Sequence, residues 1–315
     1  MHINTPYLQL KPYLTKAKEE IDLEFYHNQI PSTAFFNTTI HANYKHKLSH
    51  WEIWLQNLDT SHTTIYFKGD PFFSHHLFFT MIFESLLQYK QTQKNHLVLH
   101  SSAVSNNNKS YAFSGDACVG KTSILLHFLK EGYQYLADDQ TMIDAKTLNI
   151  LPYTLPVGIN LKLAIKTHIT LTAKNKLFLF LQTLINSLFF NYSHLTTNIP
   201  LENLHFSGKK TTLGKPTKLH KIFILTTGSL SIKKLTHNEA TFALWKNKIG
   251  SRSKLPALIY YAEEFKKQNP DFLLRKNFQF LLTELTKKIP IYQVSYNKTQ
   301  LSEAIKLIKQ EIEND

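Results

Sequence analysis

The sequence predicts an α/β protein, and two observations carry that expectation. A strand, a glycine loop and an apolar-faced helix follow one another between Ser110 and Gly132. A second strand, Tyr133 to Ala137, returns after that one helix to the carboxyl end of an expected parallel sheet and ends on the adjacent carboxylates of Asp138 and Asp139. Composition agrees. The chain has 315 residues, 43% hydrophobic and 19% charged, which is enough apolar material for a packed core and excludes global disorder. Its one cysteine, Cys118, excludes a disulfide framework and fits a reducing, cytoplasmic compartment. The opening MHINTPYLQLKPYLTKAKEE has no uninterrupted apolar core, so no secretory signal is expected there.

The elements justify themselves in chain order. Aromatic strands are expected at Asp22 to Tyr26 and Thr63 to Phe67, and a helix from about Phe72 to Tyr89 with Pro71 at its entrance. The adjacent His75 and His76 lack metal-ligand spacing. His96 to Val104 alternates like one strand. Asn106-Asn107-Asn108 then turns it back into Ser110 to Ser114, which sets His100 beside the glycine loop. Leu177 to Phe190 is interrupted by Gln182 and Asn186 and is shorter than the ~20 residues a bilayer requires, so it reads as a buried or strongly amphipathic helix.

Residues 208–221, GKKTTLGKPTKLHK, are expected as a lysine-rich loop, either solvated or clamping an acidic acceptor through Lys209, Lys210 and Lys215. Ile289 to Tyr296 follows as a late strand. Thr299 to Glu313 follows as a helix with Leu301, Ile305, Ile308 and Ile312 on one face. The expected division is an N-terminal α+β segment over 1–95 packed on the core, a core over 96–250, and C-terminal helices with a strand over 251–315.

Glycine is scarce, nine residues in 315, against a usual share of about 7%. Two of the nine frame Gly115-Asp116-Ala117-Cys118-Val119-Gly120-Lys121-Thr122, which matches G-x-x-x-x-G-K-[ST]. In such a loop the backbone N–H groups from Gly115 through Ser123 form a concave nest, and the following helix offers its positive end to the same anion. Lys121 can reach the β- and γ-phosphates of a nucleotide, and the Thr122 hydroxyl can ligate Mg²⁺. Cys118 occupies one of the loop's free positions. Of the two carboxylates, one can hold Mg²⁺ while its neighbour accepts a proton from an attacking hydroxyl.

Leu-His-Ser-Ser-Ala-Val around His100, Gly-Asp-Ala-Cys-Val-Gly-Lys-Thr-Ser and Tyr-Leu-Ala-Asp-Asp together resemble the catalytic domain of HPr kinase/phosphorylase. The likeness is greatest to the shorter HPr-kinase-like proteins, which include kinases of peptide precursors and of free serine. It is strong over Leu97 to Asp139, with weaker echoes in Leu151 to Lys162 and in Lys221 to Leu225. The resemblance implies a P-loop kinase core and transfer from ATP, with Mg²⁺, to a serine-type hydroxyl of a protein, peptide or small molecule. It further implies that Asp138 is the general base, that Asp139 assists the metal, and that His100 lies near the transferred phosphate. The glycine-rich signature that the bifunctional enzymes carry for dephosphorylation is missing from the sequence, and Thr122 replaces their usual serine.

Two other classes compete with a kinase. A P-loop ATPase or GTPase switch shares the loop, but no N-K-x-D element for guanine is present. A nucleic-acid-directed protein is suggested by the net charge of +13, although lysines are spread from Lys11 to Lys309 rather than clustered. The reading is compatible with a homo-oligomer, and no membrane span is expected.

Overall fold

The computed structural model describes residues 22–27, 39–46, 49–56, 62–69, 91, 94–188, 197–206, 209–250 and 274–314. The chain divides into two compact units, Met1–Gln93 with Ser253–Leu274, and Lys94–Arg252 with Arg275–Asp315.

The first unit holds β1 (Asp22–His27), β2 (Thr39–His46), β3 (Ser49–Gln56) and β4 (His62–Gly69) in the order β1-β4-β3-β2. β1 runs parallel to β4, and the other two pairings are antiparallel. Leu55 lies opposite Ile65, and both are buried with Ile53, so β3 and β4 share a buried apolar face as the strand alternation requires. The helix expected over Phe72 to Tyr89, with His75 and His76, lies outside the described residues.

The second unit is a mixed sheet with helices on both faces, so α/β holds at the level of class. Its strands are β5 (His96–Leu99), β6 (Ser101–Asn106), β7 (Lys109–Gly115), β8 (Gln134–Ala137), β9 (Thr141–Asp144) and β10 (Asn149–Leu151), later joined by β16 (Thr217–Thr227), β17 (Ser231–Lys234) and β18 (Ile291–Tyr296). Helix α1 (Lys121–Lys130) follows β7. Helices α4 (His237–Gly250) and α5 (Leu274–Lys288) precede β18, and α6 (Leu301–Glu313) ends the chain.

At the centre, β7, β16 and β18 are parallel. β6 and β8 extend this sheet on the side of β7 through two antiparallel pairings, so β8 again points the way β7 does. Phe113 stacks between Phe128 of α1 and Phe223 of β16, at 5.3 and 5.9 Å between ring centroids. That aromatic file fixes α1 against the sheet. On the opposite face, Ala112, Ile222 and Ile224 meet Leu244, Leu282 and Leu285 of α4 and α5. Lys221, only 2% exposed, reaches across to the carbonyl and carboxylate of Glu311 on α6.

Between β10 and β16 lies an insert. It comprises β11 (Val157–Ile159), α2 (Leu161–Thr167), β12 (Ile169–Thr170), α3 (Ala173–Leu188), β13 (Thr197–Ile199), β14 (His205–Phe206) and β15 (Lys209–Lys210). Two small antiparallel sheets, β11-β13 and β12-β14-β15, hold it together.

Three local expectations differ from the structure, and a fourth is narrowed by it. The single strand over 96–104 is two strands broken at His100, because β5 pairs with β9 while β6 pairs with β7 and β8. At the switch the freed carbonyls are filled by hydroxyls: Ser114 donates to the His100 carbonyl at 3.1 Å and Thr141 to that of Ser101 at 3.0 Å. The second strand does not enter an all-parallel sheet, since antiparallel β6 stands between β7 and β8. The lysine-rich loop is partly strand: Lys209–Lys210 forms β15, and β16 begins at Thr217, directly after Pro216. The helix expected within Leu177 to Phe190 forms as far as Leu188 and is amphipathic rather than buried: Leu179 is covered, while Leu177, Phe178, Phe180, Leu181 and Leu184 are exposed.

Candidate nucleotide-binding site

The site is built where the chain leaves β7. Asn107 and Asn108, at φ 48° and 61°, close the β6-β7 hairpin in the left-handed conformation that a two-residue turn demands. β7 then runs buried to Gly115 and delivers the glycine loop to the edge of the sheet. A Cβ on Gly115 would stand 2.7 Å from the Leu225 carbonyl oxygen and 2.8 Å from Cγ1 of Val119, so only glycine lets the loop fold back this tightly. Gly120 sits at φ 117°, and a Cβ there would be 2.7 Å from the Tyr296 hydroxyl.

The loop tip, Asp116, Ala117 and Cys118, is exposed, with Cys118 at φ 63°. Gly120 caps α1 without any side-chain hydrogen bond, and the first helical turn carries no acidic residue. The early N–H groups of α1 therefore face the loop, and the positive end of the helix dipole is uncompensated by its own sequence.

Lys121 arches back over the loop and donates to the carbonyls of Gly115 and Asp116, both at 2.8 Å. Burial lowers its pKa, against the opposing pull of Asp139, Asp138 and Asp116. Ser102 on β6 donates to the Lys121 carbonyl at 3.2 Å and ties the helix start to the neighbouring strand. Thr122 donates to both carboxylate oxygens of Asp138, at 3.2 and 3.3 Å. Ser123 is half-buried in the same first turn.

The strand β8 ends at Ala137, and Asp139 takes φ 65°, so the chain turns between the two carboxylates. Their environments diverge as a result. Asp138 is 5% exposed, and its pKa is pushed up to about 7, first by burial and then by the charge of Asp139. The Asp139 side chain is 64% exposed and lies 3.1 Å from Nδ1 of His100, which is also 3.0 Å from the Asp139 carbonyl oxygen. Nε2 of His100 is buried without a hydrogen-bond partner among the described residues.

Gly115 to Ser123, His100, Asp138 and Asp139 thus gather at one edge of the sheet, at the ends of β7 and β8 and at the β5-β6 break. Thr122 meets Asp138, whereas the resemblance sets Thr122 and Asp139 together on the metal side. One contributor was not foreseen. Tyr296, at the end of β18, donates its hydroxyl to the Val119 carbonyl at 2.6 Å, and burial raises its pKa to about 12. The partners are 177 residues apart, and the only signal in the sequence was a late strand ending in an aromatic residue.

Chemically, the arrangement offers a cluster of backbone donors, one ammonium, and a hydroxyl set against a carboxylate that titrates near neutrality. A hydroxyl and a carboxylate side by side are the hard oxygen donors that Mg²⁺ accepts when phosphates and water complete its shell. No cluster of three or more His, Cys, Asp or Glu side chains suited to a metal occurs among the described residues. No protein-family model matches the chain, and no curated protein matches it.

Proposed function

We propose that the chain is a P-loop kinase of the HPr-kinase type, which transfers a phosphoryl group from ATP to a serine-type hydroxyl of a protein, peptide or small molecule. The observation that carries this reading is the convergence of two carboxylates on the foot of the glycine loop, the buried Asp138 against Thr122 and the exposed Asp139 close enough to act on Lys121. A switch ATPase needs its phosphate loop and a metal-side carboxylate. A kinase also needs a group poised to take a proton from its acceptor, and Asp138, with a pKa pushed up to about 7, suits that task at neutral pH.

In this reading the loop N–H groups and the start of α1 bind the phosphates, and Lys121 moves from the Gly115 and Asp116 carbonyls to the anion. Asp138 holds the acceptor's proton at its carboxylate. His100 and Asp139 hold one another at the site's rim. Thr122 and Asp139 would carry Mg²⁺, which when bound neutralises phosphate charge.

The Thr122–Asp138 contact favours a second assignment within the same reading. Asp138 would then be the metal-side carboxylate, and the exposed Asp139, beside His100, would face the acceptor.

Nucleotide binding is tested by heat. ATP·Mg²⁺ at 100 times its Kd stabilises a binding protein by about 2.7 kcal/mol. It should raise the Tm of the wild type and barely that of Lys121→Ala. Equal shifts in the two proteins would sink the phosphate-loop assignment. Transfer of radiolabel from ATP to free serine or a serine peptide, against release of inorganic phosphate alone, then separates a kinase from a switch.

A further inference from the structure

Helix α3 is amphipathic the wrong way round for a core helix. Leu179 is buried, and the Gln182 side chain faces inward to accept a hydrogen bond from the Thr197 hydroxyl at 3.0 Å. Leu177, Phe180, Leu181 and Leu184, at the i, i+3, i+4, i+7 spacing of one helical face, are exposed, Leu177 and Phe180 each by 59%. Phe178 adjoins that face, with the Lys174 ammonium 6.0 Å above its ring. Ile165 on the neighbouring α2 is 65% exposed as well.

A contiguous exposed apolar surface of this kind marks a docking site. Its charge says what docks. Between Leu151 and Thr217 the chain carries seven lysines and one acidic residue, Glu202, a net +6 of the whole chain's +13. No acidic residue occurs anywhere from Ala145 to Leu201, and Lys162, Lys166, Lys174 and Lys176 all lie on α2 and α3.

We propose that the outer face of α3, with the lysines of α2 and α3, docks on an anionic lipid bilayer surface. Large apolar side chains beside lysines, with no acidic group among them, are the composition of a helix that lies in the interface plane. The apolar face enters the acyl boundary while the ammonium groups meet lipid phosphates. Among the described residues no helix is long and apolar enough to cross a membrane, so α3 lies on the bilayer rather than through it. A second copy fits worse, because it would bring the same positive insert against itself. The proposal does not depend on the kinase reading, since α3 lies outside the phosphate-loop site.

The test is co-sedimentation of the full chain with vesicles of phosphatidylcholine alone or mixed with phosphatidylglycerol. The expected result is binding to the anionic vesicles only, weakened by 0.5 M NaCl. Leu177→Ser/Phe180→Ser should lower the partition coefficient at least tenfold, because each side chain is apolar area that enters the lipid. Lys174→Gln/Lys176→Gln should lower it about 25-fold at low salt, at about fivefold per lysine. All four positions are exposed, so Tm and its rise with ATP·Mg²⁺ should stay at wild-type values. Three results would each overturn the proposal: no binding to anionic vesicles, equal binding to neutral ones, or wild-type binding by the serine variant. Failure to bind vesicles combined with a dimer that the serine variant dissociates would assign the face to a second copy. Failure combined with capture of a polyglutamate peptide would assign it to an acidic protein.

Discussion

Asp138→Asn should make this protein more stable and less active, and the stability change should depend on pH in one direction only. Burial and the Asp139 charge raise the Asp138 pKa from an ordinary 3.8 to about 7. Between those values the folded protein holds a proton that the unfolded chain has already released. Stability therefore falls as pH rises through the window and levels off above about 7. Three pKa units at 1.36 kcal/mol each put the cost of the ionised carboxylate near 4 kcal/mol at pH 8, an upper figure because a buried charge draws in water and dipoles. Asparagine is nearly isosteric, still accepts the Thr122 hydroxyl, and carries no charge to desolvate.

The assay is the Tm of wild type and variant side by side from pH 4.5 to 8, so that all other titrations cancel. The variant's advantage should be smallest at the acid end, where about 1 kcal/mol of it is already present, and grow by several degrees towards pH 8, on the order of 10 °C at most for a unit of this size. Over the same range phosphotransfer should be lost by ~10²–10⁴-fold. A difference in Tm that does not change with pH would show that Asp138 is not a strained, buried carboxylate. A wild type that is the more stable protein at pH 8 would reverse the sign of the argument.

The two carboxylate assignments separate in a Mg²⁺ titration of activity. If Asp138 is the base, Asp139→Asn shifts the half-maximal Mg²⁺ concentration upward and Asp138→Asn does not; the opposite pattern supports the assignment that the Thr122 contact favours. Gly120→Ala should cost about 1–3 kcal/mol in backbone strain alone and more from the Tyr296 hydroxyl, 2.7 Å from the new Cβ. In a Tyr296→Phe background the same substitution should cost less, measured as a coupling in denaturant unfolding; strict additivity would deny that contact any role. Neutralising Lys209, Lys210 and Lys215, all exposed, should leave the ATP-induced Tm shift intact and weaken turnover of an acidic acceptor, most at low salt. Unchanged turnover of every acceptor would leave these lysines merely solvated.

What the sequence by itself determined is what short-range chemistry controls. The glycine pair around Asp116 to Val119, the Asn107-Asn108 turn, the apolar faces of α1 and α6, and the end of β8 before two carboxylates are all set by residues within a few positions of one another. Their physical causes, left-handed backbone at Gly and Asn and the 3.6-residue period of a helix, are local. The tertiary structure decided the rest. Strand alternation cannot say which partner a strand takes, so the break at His100 and the insertion of β6 between β7 and β8 follow only from pairing with β9, whose residues lie 42 to 48 positions downstream of their β5 partners, and with β7. Periodicity finds an apolar helix face but not which side is covered, so α3 turned out inverted once Gln182 found Thr197. Lys221 is buried and Tyr296 reaches the glycine loop because side chains distant in the chain meet, and no local pattern encodes a contact made across 90 or 177 residues.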